Sequence, residues 1–531
     1  MQTHKHTYSF SKTDFYIWLT AFALLCINFL PLITHFIWGN HDWLPLIADN
    51  HLNHGFIEGR ITQYLLQNIF LMGKILPIAN IILGFIFYTF ALIILFKYFY
   101  RIKTSVFYFV LVLSLTAILP YINEILYFHF ISFSFLTWPI ILCIALLLAK
   151  RASEKNFLYN TFLSSFFLFL AIAGYPACIN FYVTAVSCLV MQKSVSTKFK
   201  HWIKSTFPFI ISMGIAVLTL KICFLYLQKE HLMMPLYNNS VCSLWELFYK
   251  LPQTIGNSIF SFVRPQPFFP LSLKILTTTI IITFFIFYLS GAKNYKTFFI
   301  RLSLCIFTLI CLKFSAWVVH INPDDIFTLE DNPFYMLRAD FYAFPIFLAF
   351  CLFTLHNQSG KAIRNLTFIF LISLIYLCTC QNISFSKTHL LGFSAENKLL
   401  DRIISRIETH PSYKQENAYS LIQAGELPLR TKYYTYPYSF KTGYYTLNVP
   451  YFRHWVAFEF YNFYAPQKIV SGEPFINPQN IKPEMVDFLA RYITPWPSKD
   501  ALYIDDTYII LALTPQGKNL LTSQFNLLHG K

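Results

Sequence analysis

The sequence predicts a mainly α-helical, polytopic membrane protein of about 11 transmembrane helices, followed by a C-terminal α/β extracytoplasmic domain. Three observations predict it. Of the 531 residues, 56% are apolar and only 12% are charged, and mean hydropathy is +0.49. That is too apolar for a water-soluble globule. Long apolar runs recur, each close to the ~20 residues a helix needs to cross a bilayer. After residue 382 those runs stop, and Pro, Asn, Tyr and mixed charge take over.

The apolar runs lie at residues 15–38, 77–97, 105–121, 131–149, 157–174, 176–192, 206–227, 271–290, 300–320, 339–356 and 365–381. The first is long and lacks a small-residue cleavage site, so it is expected to remain as a span. Between the first two runs, "ITQYLLQNIFLMGKILP" carries Leu65, Leu66, Ile69, Phe70 and Met72 at near-helical spacing. It suits an amphipathic helix lying in the outer interface. The domains expected are a transmembrane part, 1–381, and a soluble part, 382–531, of normal domain size. The soluble part opens on a helical face of Leu399, Ile403, Ile404 and Ile407. It closes on two β-rich runs around Asp505-Asp506, which read as a hairpin turn.

The net charge of +16 does not point to nucleic acid, because its distribution is that of a membrane topology. Counted from a cytoplasmic N-terminus, the inner gaps hold Lys97, Arg101 and Lys103, then Lys150, Arg151 and Lys155, then Lys193, Lys198, Lys200 and Lys204. The outer gaps are poor in Lys and Arg, which is the positive-inside bias. Eleven crossings would leave the C-terminal domain outside. Acids run the other way: before residue 382 only Asp14 and Glu154 fall on the inner side. Acids contribute little to topology, so their gathering outside suggests an outward-facing site. The Cys residues are scattered through apolar runs, with no paired spacing of a zinc site.

The densest outer gap is "HDWLPLIADNHLNHGFIEGR", residues 41–60. It holds His41, Asp42, Asp49, His51, His54, Glu58 and Arg60. A carboxylate beside a span end can act as a general base if it is partly desolvated. The alternative is an acid that only marks a helix end. The spacing His51-x-x-His54 with Asp49 suits a metal ion but is not diagnostic, and no metal ligand is assigned. Glu124 is expected on a short outer connection. The gap "HINPDDIFTLEDNPFYMLRAD" brings Asp324 and Asp325 and leads to Arg338. An Arg at an acidic outer helix end fits a phosphate through its planar fork, or an ion pair with Asp340. Lys313 lies inside a span, where an ionisable group suggests function and snorkelling is the alternative.

The inner gaps are short and leave little room for a nucleotide-binding apparatus. An enzyme built this way would work outside and receive its donor through the membrane. "HDW" after the first span, then "EGR" leading into "ITQYLLQ", resembles the Gtr-type glucosyltransferases of bacterial serotype conversion, and more broadly the GT-C membrane glycosyltransferases. The family's acidic pair in the first outer loop falls on His41-Asp42, so His stands at the first acid and Asp42 is retained. The family's Gly-Arg step is Gly59-Arg60. The family's later Arg segment is "MLRADFYAFPIFLAF", with Arg338 in its place. The layout matches over most of the chain, but the motifs are short.

The resemblance implies a bacterial inner-membrane enzyme with a cytoplasmic N-terminus and a periplasmic C-terminal domain. Its donor would be a sugar on a polyprenyl phosphate, and its acceptor a lipopolysaccharide, O-antigen or other surface glycan. An inverting transfer assigns Asp42 as base, oriented by His41 or Asp49, with Glu124 placing a sugar. Arg338, Arg60 or Lys313 would meet the leaving phosphate, with Glu58, Asp324 and Asp325 lining the substrate site. No cofactor is assigned, and use of a divalent cation stays open. The competing classes are a transporter or flippase of a lipid-linked sugar, and a surface-polysaccharide polymerase or ligase. A transporter should show an internal repeat and interrupted midplane helices, and the sequence shows neither.

Overall fold

The computed structural model describes residues 10–35, 60–72, 76–126, 129–194, 199–230, 269–314, 334–414, 416–424, 468–471, 482–519 and 521. The chain is mainly helical and divides into two compact units, one carrying the described residues up to Ser386 and the other those from Lys387 onward.

The first unit is a helical bundle. α1 spans Lys12–Asn28 and starts with a capping box, in which Ser11 and Asp14 satisfy each other's backbone N–H. Asp14 is fully buried and also pairs with Lys97 and with the Tyr98 hydroxyl. Within the described residues, the first apolar run, 15–38, is not one continuous helix as expected. It breaks at Phe29 and resumes as α2, Leu30–Thr34, with Pro31 near its start. Proline has no N–H to continue the ladder and restricts the residue before it.

α3 is Ile61–Leu71, and α4 is Pro77–Ile93, prolonged by a π-helical turn, Ile94–Phe99. α5 spans Val106–Ile118, α6 Ile122–Leu126, α7 His129–Ala152 and α8 Phe157–Gly174. α9, Ile179–Ser194, follows a 3₁₀ turn at Pro176–Cys178. α10 is Phe199–Lys229, α11 Leu271–Ser290, α12 Tyr295–Phe314, α13 Phe334–Gln358 and α14 Lys361–Glu408.

Eight helices among the described residues are long and apolar enough to cross a membrane. α1, α5 and α9 coincide with the remaining three apolar runs but have 17, 13 and 16 residues. Large apolar side chains point outward on α8, α10, α11 and α14, among them Leu158, Leu218, Ile286 and Ile369. In water such a girdle would drive aggregation; in a bilayer it faces acyl chains. The chain is therefore a multi-pass membrane protein.

Pro139 sits inside α7 and removes the N–H that would otherwise bond to the Phe135 carbonyl four residues back. The Tyr342 hydroxyl of α13 donates to that carbonyl at 2.8 Å. A membrane helix tolerates proline when a neighbour satisfies the freed group.

The second unit contains a four-stranded sheet in the order β2-β1-β4-β3. β1 is Ala418–Ala424, β2 Lys468–Ser471, β3 Leu502–Ile504 and β4 Tyr508–Ala512. β1 runs parallel to both β2 and β4, and β3 pairs antiparallel with β4. The turn between β3 and β4 holds Asp505 and Asp506. Asp505 Oδ1 accepts from the backbone N–H of Thr507 and Tyr508, both at 2.8 Å. β4 is buried along its whole length, as a strand covered on both faces must be. Ile509 and Leu511 pack with Ile403, Ile407 and Tyr419. Tyr508 and Ile510 pack on the other side with Met485 and Leu489, in and just after the short helix α15, Pro483–Asp487. The expected helical face of Ile403 and Ile407 is thus part of this unit's core.

The border between the units falls inside α14, at 386/387, where composition suggests 381/382. The helix continues through the change in polarity because no Pro or turn cluster interrupts it there.

Candidate functional site at the acid-rich end of the bundle

The bundle has two chemically different ends. Lys97, Arg101, Lys150, Lys193 and Arg301 mark one. The other is built from the start of α3 and α13, the end of α5 and α8, and α6. Residues 36–59 and 315–333, which carry His41, Asp42, Asp49, Glu58, Asp324 and Asp325, lie outside the described residues.

Arg60 immediately precedes α3, and its guanidinium carbon lies 5.6 Å from the centroid of the Tyr175 ring, within cation–π range. Tyr175 occupies the joint between α8 and the 3₁₀ turn, and its ring packs against Phe135 at 4.4 Å and Tyr342 at 6.2 Å. The Pro139-freed carbonyl fixes Tyr342, so a proline in α7 helps set the ring on which Arg60 rests. Gly174 precedes Tyr175 because Trp138 fills the space beside it. A Cβ there would come within 2.0 Å of the Trp138 ring.

α3 is amphipathic in the sense a lipid demands. Leu65, Ile69, Phe70 and Met72 are exposed, whereas Thr62 and Gln63 are buried. The Thr62 hydroxyl donates to the Leu170 carbonyl at 2.6 Å, pinning the helix start to α8. Gln63 is 0% exposed, yet among the described residues neither its Nε2 nor its Oε1 has a hydrogen-bond partner. The Trp138 indole N–H is likewise buried without one. Unpaired buried amides cost roughly 1–3 kcal/mol and call for an explanation; a bound polar ligand would supply one.

Glu124 lies in α6, a five-residue helix within the short connection between α5 and α7. The helix forms because Ile122 and Asn123 donate to the carbonyls of Leu119 and Pro120, each at 3.0 Å. α6 packs on α13, the helix that carries Arg338 and Asp340. Asp340 is buried and close enough to Tyr121 to interact with it electrostatically. The Tyr121 ring stacks on Phe269 at 4.9 Å and meets Phe344 edge-on at 5.5 Å. Arg60, the helix of Glu124 and the helix of Arg338 thus occupy the same end of one bundle.

Lys313 is the penultimate residue of α12. The Leu312 carbonyl accepts from Asn180 Nδ2, near the start of α9, at 3.4 Å, which places the backbone beside Lys313 toward this same end.

Sequence reading missed an amide cluster that ties the end together. Asn123 Nδ2 donates to Asn382 Oδ1 at 3.2 Å, and Asn382 Nδ2 donates to the Ile118 carbonyl at 2.7 Å and to Asn28 Oδ1 at 3.3 Å. The signal was there, since an Asn in an apolar run is costly unless partnered. Among the described residues no group of His, Cys, Asp and Glu could hold a metal ion.

No protein-family model matches the chain, and no curated protein sequence matches it.

In the second unit, Asp506 forms ion pairs with Lys414 at 3.1 Å and Lys482 at 3.2 Å. The hydrogen bond from Lys414, reinforced by Lys482, holds the Asp506 carboxyl below its ordinary value. Burial, with the Asp505 charge beside it, pushes the Tyr503 phenol up to about 12. These contacts shape a turn and leave the Asp pair engaged.

Proposed function

We propose that the chain is an inverting membrane glycosyltransferase. It would move a sugar from a polyprenyl-phosphate donor to a glycan acceptor on the outer face of a bacterial inner membrane. The observation that carries this reading is Arg60. It is a cation resting on an aromatic ring, at the root of a helix whose apolar side chains are exposed, three residues before a buried amide with no partner among the described residues. A lipid-borne phosphate sugar needs these elements in one place: a lipid-exposed approach, a charge for the phosphate and polar groups for the sugar.

In the proposed reaction Asp42 removes the proton from an acceptor hydroxyl, and that oxygen attacks the anomeric carbon. The bond from the anomeric carbon to the phosphate oxygen breaks with inversion, and the electron pair leaves with the polyprenyl phosphate. Arg60 meets the charge that develops on that phosphate, with Arg338 or Lys313 as the second cation. Glu124 and Gln63 orient the sugar. His41 or Asp49 orients the base, and Glu58, Asp324 and Asp325 complete the substrate-binding set. Eleven crossings would place the soluble unit on the acceptor's side.

The test is transfer of glucose from undecaprenyl-phosphate glucose by the purified full chain in lipid nanodiscs. Asp42→Asn is expected to lose activity by about 10²-fold or more. Arg60→Ala is expected to raise the KM for donor about tenfold with a smaller effect on kcat, since each cation–phosphate contact is worth about 1–2 kcal/mol. Full transfer by a folded Asp42→Asn would remove the assignment of the base. Movement of intact donor across the bilayer without transfer would favour a flippase.

A further inference from the structure

At the opposite, basic end of the bundle there is a cleft that the proposed transfer does not use. It is lined by Arg101, Lys103, Gln192 and Asn357 together with aromatic side chains including Tyr288 and Phe350. It lies between the segment after α4 and the ends of α9, α11 and α13.

The Arg101 and Lys103 side chains are exposed, and the backbone that carries them is held in place. Arg101 has φ of +57°, a left-handed conformation that strains a non-glycine residue. The chain reaches it through the π-helical turn at Ile94–Phe99, a deviation that often marks functional sites. The preceding residue is held from two directions. The Tyr100 hydroxyl donates to the Ala185 carbonyl at 2.9 Å, and Gln192 Nε2 donates to the Tyr100 carbonyl at 3.4 Å.

Tyr288 is also fixed. Its hydroxyl bonds Ser194 Oγ at 2.5 Å. Arg301 Nη1 donates to its carbonyl at 2.6 Å, with the guanidinium 5.1 Å from its ring. Arg301 is only 6% exposed, its Nε has no hydrogen-bond partner, and it forms no ion pair among the described residues. Nearby, Arg101, Lys150 and Lys193 repel one another, with Glu154 as the acid facing both lysines. Positive charge therefore exceeds negative charge around a cleft whose lining is aromatic.

We propose that this cleft binds a phosphate ester. Arg101 and Lys103 contact the phosphate oxygens, Gln192 and Asn357 supply amide donors, and the aromatic lining accepts the carbon skeleton next to the phosphate. Basic pockets between membrane helices on the cytoplasmic side take anionic lipid headgroups, and a soluble phosphate offers the same chemistry. The site is distinct from the Arg60 end and does not depend on the glycosyltransferase reading.

The experiment is native mass spectrometry of the full chain released from detergent, with added phosphatidylglycerol, phosphatidylcholine or inorganic phosphate. The variant is Arg101→Gly with Lys103→Gln, and Lys155→Gln serves as a charge control. Glycine accepts the left-handed backbone at 101, so the double variant is expected to fold with an unchanged thermal midpoint. Wild type and Lys155→Gln are expected to retain phosphatidylglycerol over phosphatidylcholine. The double variant is expected to bind it roughly thirtyfold more weakly, at about fivefold for each cation. Preference for phosphatidylglycerol without uptake of inorganic phosphate identifies a lipid headgroup, and uptake of inorganic phosphate that the double variant loses identifies a soluble ester. Equal binding of every ligand by wild type and the double variant overturns the proposal.

Discussion

Gly174 shows how little room surrounds the candidate site. Trp138, fully buried, lies where a Cβ at position 174 would go. Indole is rigid and cannot swing away as a long aliphatic tip could. Gly174→Ala is therefore expected to cost about 2 kcal/mol by overpacking and to shift Tyr175, the ring under Arg60. A lowered thermal midpoint in detergent together with weaker donor binding would bear this out; an unchanged midpoint would mean that Trp138 relocates freely. Arg60 was legible in the sequence because a lone Arg opens a helical apolar pattern. Tyr175 was not, because one tyrosine among 34 carries no local mark. Gln63 was hidden for a different reason. An amphipathic pattern shows that polar and apolar residues separate, but not that the apolar side is the exposed one and the glutamine is buried.

Elements in this bundle are joined by groups that the backbone leaves unpaired. The Phe135 carbonyl, freed by Pro139 and satisfied by Tyr342, joins α7 to α13. Tyr342→Phe should orphan that carbonyl and lower stability by about 1 kcal/mol. Adding Pro139→Ala restores an N–H partner within α7, so the tyrosine's removal should cost less in the Pro139→Ala background. Thermal midpoints of the wild type, both single variants and the double variant form a cycle. Strict additivity would show that the two residues are not coupled through the carbonyl. Helix existence was largely readable from apolar runs, and the break after Asn28 follows from Pro31. The inclusion of Glu124 in a short helix was not readable, because α6 has only five residues and depends on packing against α13 and α7.

At the scale of the molecule, the number of crossings decides where the second unit lies. The eight long helices alone would return the chain to its starting side. Counting α1, α5 and α9 makes the number odd. α5, at 13 residues, measures only ~20 Å along its axis against a hydrocarbon core of ~30 Å. It is buried among α1, α4 and α13, so protein rather than lipid surrounds much of it and the usual length rule relaxes. A reporter active only in the periplasm, fused to the full chain beyond the second unit, is therefore expected to be active. The same reporter placed near Lys155 should be silent. The reverse pattern, or activity at neither place, would refute eleven crossings. The sequence by itself determined the environment, the approximate positions of the helices and the separation of basic from acidic gaps, because those depend on composition and on short-range periodicity. Only the tertiary structure decided which polar side chains meet: Asn28 with Asn382, Tyr342 with a carbonyl in α7, Arg60 with Tyr175, and Arg301 with Tyr288. Those contacts join residues far apart in the chain, and no local pattern encodes the distance between two helices that pack.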